Sequence, residues 1–510
     1  MKFHFSCLFV LSAFSAYAQD PGDDFFAQWK VHDIRFEFHQ TGFWDSLKQN
    51  YTLDVYMQAD VMIDGKSYHN SGVKFKGNSS YNNASNKKPF RIDLAEYVDG
   101  QSHDDLKKIV LNNGFKDPSF LREKMMLDFL YDHGIAGPRC GFARLYINGE
   151  YRGLYTVVED VNKTFLEDRY GNKDGNLFKG DPRGTLVYKG SSPSLYSSDY
   201  ELKTNEKEND WSDLIRFVDA LNRIPSAQLK DSLATYMNTD SWLDYWAAHN
   251  IFVNLDSYIG SGHNYFIYHN TDSDQFDWIS WDVNEAFGNF QMGQSLTNLI
   301  NLAIGYIPTP TTQRPVMNRL WGESYWKQAL ADRICALLPD FSNEKLNARI
   351  DSLANLIRQD VYADTYKTYS NAQFEQNLSQ DLNITVPGSP AGGMVAGIKS
   401  FINDRRTSLT GQLKAFGCIS TDQEAISGTG VQKLYPSLLR SGRLYITGID
   451  IDKDIRIEIF NATGAAIHAV LVQKTTDLIS LSIDPQVPPG YYLVNCISGN
   501  GSKSFSFVKE

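Results

Sequence analysis

The sequence predicts an α+β protein that ends in a small, all-β, immunoglobulin-like sandwich. Three observations indicate this class. Short alternating runs of apolar and polar residues fill 31–73, which is the pattern of half-buried strands. Helical patterns follow at 211–248, 314–357 and 397–415, and strands that precede helices favour the α+β class. After a polar stretch at 420–432, alternating strands return.

The first strands are placed by their alternation and by one turn signal. Strands are expected at 34–38, 53–57 and 61–63. Asp64-Gly65 stands between alternating segments and is a typical two-residue hairpin turn. The chain is therefore expected to start as an antiparallel sheet.

A helix and a second hairpin follow. The helix is expected over 120–133, because Asp117-Pro118-Ser119 is a helix start signal. The hairpin joins strands at 142–147 and 151–158 across Asn148-Gly149, the commonest two-residue hairpin turn.

The end of the chain is expected to form a separate domain. Residues 420–432 are polar and are interpreted as a linker. Residues 433–510 carry alternating strands at 444–449, 455–460 and 491–498, which predicts the β-sandwich.

Residues 1–18 have the pattern of a cleavable signal peptide. Lys2 supplies a positive start, 5–14 form an apolar stretch, and Ala16-Tyr17-Ala18 is a small-x-small cleavage pattern. Cys7 lies early in the apolar stretch, unlike the acylated cysteine of a lipoprotein. No later segment offers the roughly eighteen uncharged apolar residues of a membrane-spanning helix. The sequence therefore predicts an exported protein without a transmembrane segment, either secreted or held at the cell surface.

The charge of the chain excludes one class of partner. The formal net charge is -11, with 49 Lys and Arg against 60 Asp and Glu. DNA and acidic membranes need clustered positive charge, so we expect no nucleic-acid partner.

Four cysteines remain after the signal peptide, namely Cys140, Cys335, Cys418 and Cys496. An oxidising compartment permits disulfides among them, and four cysteines allow three pairings that the sequence does not distinguish. Cys140 precedes an apolar strand and Cys496 lies within one, which favours buried thiols at both positions.

The chemistry is expected to lie between residues 254 and 288. Asn264 opens an apolar strand, and the return strand of the hairpin ends at Asp282, so these two side chains are expected near each other. A carboxylate and an amide suit a magnesium ion that also binds phosphates. Asp256, eight residues before Asn264, is placed to act as a general base beside the metal. An Asp, a spaced Asn and an Asp in this order match the roles in phosphoryl transfer of the kinase type. Alternatively, each Asp is a polar hairpin-end residue that caps a turn.

A second cluster, at 72–80 and 87–92, reads as strand, small polar loop, strand. Its loop exposes backbone N–H groups, and Lys76, Lys88 and Arg91 supply cations that can neutralise phosphate charge. The alternative is a basic hairpin on a solvated surface, since the pattern is neither a Walker A motif nor a full GxGxxG.

Over approximately 25–416 the chain resembles the CotH kinase family, the spore-coat-protein-H-like proteins. The motifs that carry the resemblance occur in this order: GVKFKGNSS, KKPFRIDL, PSFLRE, RLYINGEYRGLYTVVED, GNLFK, NLD, HNYFIY and WDVNEAFG. The resemblance implies a divergent, two-lobed protein-kinase-like fold over 19–419, with an N-lobe at roughly 25–160 and a C-lobe at roughly 205–419. It also implies binding of ATP with Mg²⁺ and phosphorylation of serine or threonine in a protein substrate.

The resemblance also assigns roles. Asp256 resembles the catalytic base, and Asn264 and Asp282 the metal ligands. The nucleotide-binding residues that it implies are Lys76, Gly77, Asn78, Ser79, Lys88, Arg91, Glu123 and Glu159. Glu123 resembles the acid that pairs with the phosphate-binding cation, and Glu159 lies by the segment that joins the lobes. As alternatives, Glu123 is a solvated helix residue and Glu159 a surface acid at a strand end.

The last segment resembles the C-terminal sorting domain of type IX secretion cargo. The motifs are Tyr435-Pro436 and the stretches 442–446, 457–464, 488–493 and 505–509. They imply the type IX secretion machinery as a partner, and passage through the outer membrane of a Bacteroidetes-type cell. A carbohydrate-binding or spacer domain is the alternative.

Two other functions compete with the kinase. One is a non-catalytic surface or matrix-binding protein that keeps the scaffold, since ATP is scarce outside the cytoplasm and 28 Tyr and 9 Trp offer aromatic surface. The other is a glycosidase with Asp277 and Asp282 as paired carboxylates. Their odd spacing on one strand points them to opposite faces, which argues against it.

Overall fold

The computed structural model describes residues 20–27, 29–384 and 393–418, and, nearer the carboxyl end, 433–435, 438–439, 443–447, 455–472, 478–483, 487–498 and 501–509. The expected signal peptide (1–18) and linker (420–432) lie outside the described residues. The chain divides into two units, 1–419 and 420–510. The first mixes helices and strands and the second is all-β, so the predicted α+β class and the all-β end are confirmed. The protein-kinase likeness of the first unit stays a prediction.

The first unit begins with a closed barrel in the strand order β1-β2-β3-β4-β5-β7-β6. Its strands are β1 (Val31–Glu37), β2 (Met57–Ile63), β3 (Lys66–Phe75), β4 (Phe90–Asp93), β5 (Lys108–Asn112), β6 (Cys140–Ile147) and β7 (Glu150–Glu159). Alternate residues fill the barrel, among them Ile34, Phe36, Val73, Phe75, Phe90, Ile92, Leu111 and Tyr155. Both expected turns are present, since Asp64 and Asn148 have φ of 49° and 48° and each precedes a glycine with positive φ.

One strand prediction was wrong. Residues 53–56 are not a strand, because a helix occupies Phe43–Leu53 and ends at Asp54 in the left-handed conformation, and β2 begins at Met57. The apolar residues Phe43, Trp44 and Leu47 have helical spacing, which favours a helix that runs to Leu53 over a strand that starts there. The helices of this region are α1 (Asp23–Ala27), α2 (Phe43–Leu53), α3 (Ser79–Asn82) and α4 (Arg122–Asp132).

Helix α4 begins and ends where the sequence indicated. The Asp117 carboxylate accepts the backbone N–H groups of Ser119 and of Arg122, the first residue of the helix, at 3.0 and 2.9 Å. Gly134, with φ of 67°, follows its last residue. This start places Glu123 in the first turn of α4.

After the barrel come a small sheet and the helices. The sheet has the strand order β11-β10-β8-β9. Its strands are β8 (Leu177–Gly180), β9 (Tyr200–Leu202), β10 (Tyr265–Asn270) and β11 (Gln275–Ser280). The helices are α5 (Lys163–Tyr170), α6 (Ser212–Arg223), α7 (Ser226–Ser232), α8 (Thr239–Ile251), α9 (Leu296–Ile300), α10 (Pro315–Trp321), α11 (Ser324–Leu337), α12 (Asn343–Ala363), α13 (Asn371–Asn377) and α14 (Ile398–Leu413). A short pair, β12 (Leu382–Ile384) and β13 (Gly393–Val395), completes the unit.

The core beside the sheet is aromatic. Trp242, Tyr245 and Trp246 of α8 are buried, and Trp278 of β11 packs against Trp242 with ring centroids 4.5 Å apart. From Tyr245 to Ile251 the helix is buried on all sides, so it holds the loop that follows it in a fixed place.

One disulfide joins Cys335 and Cys418, and Cys140 and Cys496 are buried thiols, as their positions indicated. In the described residues, no helix combines the length and the apolar composition needed to cross a membrane.

The second unit consists of two sheets, β14-β16-β19 and β15-β21-β20-β17-β18. The strands are β14 (Lys433–Tyr435), β15 (Leu438–Leu439), β16 (Arg443–Thr447), β17 (Ile455–Asn461), β18 (Ala466–Val472), β19 (Leu478–Ser482), β20 (Gly490–Ser498) and β21 (Gly501–Lys509). Leu444 and Ile479 from one sheet share a core with Ile457 and Val494 from the other, which is the packing of a sandwich.

Candidate active site

The end of the β10–β11 hairpin carries both residues predicted to bind metal. Tyr265 pairs with Ser280, so Asn264, just before β10, and Asp282, shortly after β11, leave the sheet at the same end. Their φ angles are 55° and 52°, in the left-handed region. Asn and Asp adopt this region more readily than other non-glycine residues, so both residue types suit their positions.

Asp256 lies beside this hairpin end, in the loop after α8. It is 8% exposed. Asn264 Nδ2 donates to the main-chain oxygen of Asp256 at 3.1 Å and to its Oδ2 at 3.0 Å. His263 Nε2 lies 2.5 Å from Oδ1, and Ser261 Oγ donates to the same oxygen at 3.3 Å. The carboxylate predicted to act as base is therefore held in one orientation.

Arg314 fixes the backbone of the same loop. Its guanidinium donates to the carbonyl oxygens of Tyr258 and Gly260, at 2.6 and 2.5 Å. Gly262 has φ of 88°, and a Cβ there would collide with this guanidinium. Gly262 and Arg314 thus support the segment between Asp256 and Asn264.

On the barrel side, a bridged network holds Lys76. Lys76 Nζ donates to Asn112 Oδ1 at 2.8 Å, and Asn112 Nδ2 donates to both carboxylate oxygens of Glu123, at 2.8 and 3.0 Å. Glu123 is 3% exposed and is not a solvated helix residue. The sequence suggested a direct pairing of cation and acid; Asn112, which it did not identify, stands between them.

Charged groups of the barrel side and of the hairpin end interact electrostatically. Burial and the nearby Asp282 carboxylate raise the pKa of Glu123 to about 8, against the opposing effects of Asn112 and Lys76. Burial lowers the pKa of Lys76, and Asp282 partly offsets this. Asp282 therefore interacts with the cation and with the acid of the barrel network.

Two more cations lie close to Lys76, since the charges of Arg91 and Lys179 also lower its pKa after burial. Arg91 donates to Asp160 at 2.8 Å, and Lys179 to Asp181 at 2.5 Å. Lys179 was not singled out from the sequence, although it ends the GNLFK motif. Each of these two cations is thus paired with an acid, while its charge also acts on Lys76.

The loop Gly77–Ser79 lies on the surface next to Lys76. Gly77 has φ of 78°, and a Cβ there would meet the hydroxyl of Ser80. Tyr51 OH donates to the Gly77 carbonyl at 2.7 Å. Asn78 and Ser79 then lead into α3. The backbone N–H groups of this exposed turn are accessible to a ligand.

Lys88 and Glu159 have other partners. Lys88 Nζ donates to the carbonyl oxygens of Tyr81 and Asn83, at 2.6 and 2.8 Å, and so stabilises the loop backbone. Glu159 is 1% exposed and accepts from Arg139 at 2.6 Å and Arg169 at 3.1 Å, so it is not a surface acid. Their roles as nucleotide contacts stay predictions.

Two acid–base partners near the hairpin were missed by sequence reasoning. Both oxygens of Glu285 lie 3.0 Å from Lys116 Nζ. Burial and the charge of Asp256 raise the pKa of Glu285 to about 8. Burial lowers the pKa of His263, but its contact with Asp256 outweighs burial and the net shift is upward. Only their positions in the sequence could have indicated these two residues, because Glu285 lies in WDVNEAFG and His263 directly precedes Asn264.

The oxygen donors at the hairpin end suit magnesium. Among the described residues, Asn264 Oδ1 accepts no hydrogen bond and the Asp282 carboxylate has no hydrogen-bond partner. The described ranges hold no group of three or more His, Cys, Asp or Glu side chains placed for a metal. One carboxylate and one amide, completed by phosphate oxygens and water, are a typical Mg²⁺ arrangement.

Comparison with known proteins adds three findings. The family model described as CotH kinase protein matches residues 73–409. The inner spore coat protein H of Bacillus subtilis (strain 168) is 28% identical over 275 residues, which cover 53% of this chain and 73% of that protein. A crystal structure of a DUF3244 family protein with an immunoglobulin-like β-sandwich fold, from Bacteroides vulgatus, matches 14% of this chain and 78% of that one, at 22% identity and a TM-score of 0.13.

Proposed function

The chain belongs to the CotH kinase protein family, and on that premise we propose that it transfers the γ-phosphoryl group of ATP to serine or threonine of a protein. One observation carries the proposal. Lys76 Nζ of the barrel lies over the ring of Trp281, 5.6 Å from its centroid, and Trp281 directly precedes Asp282 at the hairpin end. In keeping with this contact, the Asp282 charge raises the pKa of both Lys76 and Glu123, against burial for the first and together with burial for the second. Cation, buried acid and candidate metal ligand thus belong to one cluster, in the combination that kinase-type phosphoryl transfer uses on a two-lobed scaffold.

The phosphates would lie between the two sides of this cluster. Lys76, whose pKa the charges of Arg91 and Lys179 also affect, would neutralise phosphate charge, and the backbone of Gly77–Ser79 would donate N–H groups. Asn264 Oδ1 and the Asp282 carboxylate would hold a magnesium ion. When bound, the ion neutralises charge that develops on the phosphate oxygens.

Asp256 would act as the base. It accepts the proton of the substrate hydroxyl while the hydroxyl oxygen forms its bond to the γ-phosphorus, and the bond to the bridging oxygen breaks to release ADP. His263 and Asn264 keep the Asp256 carboxylate oriented for this transfer. Orientation is most of what the protein contributes to such a reaction.

The reaction would take place outside the cytoplasm. Residues 1–18 would direct export, and the β-sandwich at 433–510 would direct type IX secretion across the outer membrane. The substrate would then be a secreted or surface protein.

A transfer assay with labelled ATP and Mg²⁺ tests the proposal, with a hydroxyl-rich protein as acceptor and autophosphorylation scored in parallel. We expect label transfer by the wild-type protein and its loss in Asp256→Ala and Asp282→Ala. Transfer that persists unchanged in both variants would exclude the proposed site.

One observation favours a second candidate, a non-catalytic surface-binding protein. A cavity of about 280 Å³ is lined by Phe43, Trp44, Asn86, Arg152 and Tyr366. Aromatic walls with a few polar groups are typical of small-molecule and glycan sites. Nucleotide separates the candidates, because a ligand that binds only the folded state raises the melting temperature. A wild-type protein that MgATP does not stabilise would favour this second function.

A further inference from the structure

A buried ion pair ties the loop before β4 to the end of α12. Lys87 Nζ lies 2.5 Å from Asp364 Oδ2, and the two side chains are 3% and 0% exposed. The partners are 277 residues apart in sequence. The ammonium of Lys87 also lies over the rings of Phe120 and Tyr155, at 4.7 and 5.1 Å from their centroids. The pair is therefore almost completely shielded from solvent.

The barrel is shaped to receive the Asp364 carboxylate. The backbone N–H of Leu154 donates to Oδ2 at 3.1 Å. Gly153, with φ of 112°, leaves the necessary room, since a Cβ there would collide with the carboxylate. The other oxygen accepts the N–H groups of Tyr366 and Lys367, at 2.9 and 3.0 Å. These contacts hold the Asp364 carboxylate in place independently of Lys87.

Lys87 belongs to the loop that carries the candidate phosphate contacts. Asn113 Nδ2 donates to the Lys87 carbonyl at 2.6 Å and to the Ser80 carbonyl at 3.1 Å. Ser85 Oγ accepts the Lys87 N–H at 3.1 Å and donates to the Tyr366 carbonyl at 3.2 Å. Helix α3, inside this loop, has no buried residue. The loop is therefore held by these polar tethers and by Tyr81, whose ring stacks on Tyr51 with centroids 3.5 Å apart.

We infer that Asp364 is a positioning residue for nucleotide binding, which acts through Lys87 to set the place of the loop 77–88. The inference rests on the proposed function, because the loop matters only if its backbone contacts phosphate. Removal of one partner leaves a buried charge without compensation, which is strongly destabilising locally. The loop would then leave the position in which its N–H groups face the nucleotide.

The variants Lys87→Met, Asp364→Asn and their combination test this. Asparagine keeps the acceptors for the backbone N–H groups and removes the charge. We expect each single variant to raise the KM for MgATP about tenfold, with kcat changed less than about twofold, because lost binding that is uniform along the reaction appears in KM alone. The double variant is expected to be no worse than either single one, since the partners act as a pair.

Arg144→Gln is the matched control. Arg144 donates to both oxygens of Asp360, at 2.5 and 2.8 Å, and so anchors the same end of α12 to the barrel without touching the loop. It should lower the melting temperature and leave the KM for MgATP unchanged. If Lys87→Met does not fold, Ser85→Ala loosens the same loop without burying a charge, and a smaller rise in KM is expected.

Two results would overturn the inference: KM values of the Lys87 and Asp364 variants that match wild type, or an equal rise in Arg144→Gln. Failure of the proposed function looks different, because the wild type itself would then show no dependence on MgATP. In that case, hydrogen exchange over 77–88 still decides whether Asp364 holds the loop. Exchange that is unchanged in Asp364→Asn would refute it.

Discussion

The two sides of the candidate site differ in how their charged groups are partnered. On the barrel side, Lys76, Asn112 and Glu123 form a continuous hydrogen-bonded chain. On the hairpin side, Asn264 and His263 hold Asp256, whereas Asp282 has, among the described residues, no hydrogen-bond partner. Buried or half-buried polar groups are normally satisfied, so such an exception needs an explanation. On the proposed function, the cation side is preassembled and Asp282 is the group that a ligand completes.

The largest effects are expected on the hairpin side, in activity and not in stability. Asp256→Asn should lower kcat about 10²- to 10⁴-fold, the usual contribution of a general base. Asp282→Ala should lower transfer at least comparably and leave the melting temperature equal to or above that of wild type, because it removes an unpartnered carboxylate close to other acids. Transfer assays and thermal melts without ligand measure both. A strongly lowered melting temperature of Asp282→Ala would contradict this difference between the two sides.

On the barrel side, we expect substitutions to change mainly the KM for MgATP. Lys76→Met removes a cation from the network and is expected to raise the KM for MgATP about 10- to 100-fold. Lys66→Met is the matched control: Lys66 is exposed at the opposite end of β3 from Lys76, so KM should change less than about threefold. Steady-state kinetics at several ATP concentrations decide between them. Equal effects of the two variants would show that the positive charge of the barrel acts as a whole and not through Lys76.

The smallest expected effect concerns pH and Glu123. Its pKa is raised from 4.5 to about 8 in the folded protein. A carboxyl with a raised folded pKa binds its proton more tightly when folded, so this residue contributes a loss of stability as pH rises from about 5 to about 8, and no further change above that. Glu123→Gln should reduce the slope of this part of the pH profile of the melting temperature, and the remaining slope includes the contribution of Glu285, whose pKa is also raised to about 8. Glu167→Gln, at an exposed carboxylate of α5, should leave the profile unchanged; a wild-type slope retained in Glu123→Gln would contradict the assignment.

The sequence predicted the local parts of this site well, because hairpins have strong local signals. Asp64-Gly65 and Asn148-Gly149 form the expected turns, and the spacing of Asn264 and Asp282 around one hairpin brings them to the same end. The error at 53–57 arose because a short apolar run does not distinguish a strand from the end of a helix.

Contacts between distant segments were not predictable. Asn112 lies between Lys76 and Glu123 only because β5 pairs with β4 in one particular register. Asp364 meets Lys87 across 277 residues, and nothing in either local pattern indicates the other. Glu159 has the sequence context of an exposed strand end, yet Arg139 and Arg169 enclose it. Such partners are determined by tertiary packing.

The most direct test of the account is a crystal structure of the protein with Mg²⁺ and a non-hydrolysable ATP analogue. We predict one ion with Asn264 Oδ1 and an Asp282 oxygen at about 2.0–2.1 Å, shared with phosphate oxygens. We also expect the γ-phosphate between Lys76 and the Asp256 carboxylate. An analogue bound elsewhere, or an ion that neither Asn264 nor Asp282 ligates, would contradict it.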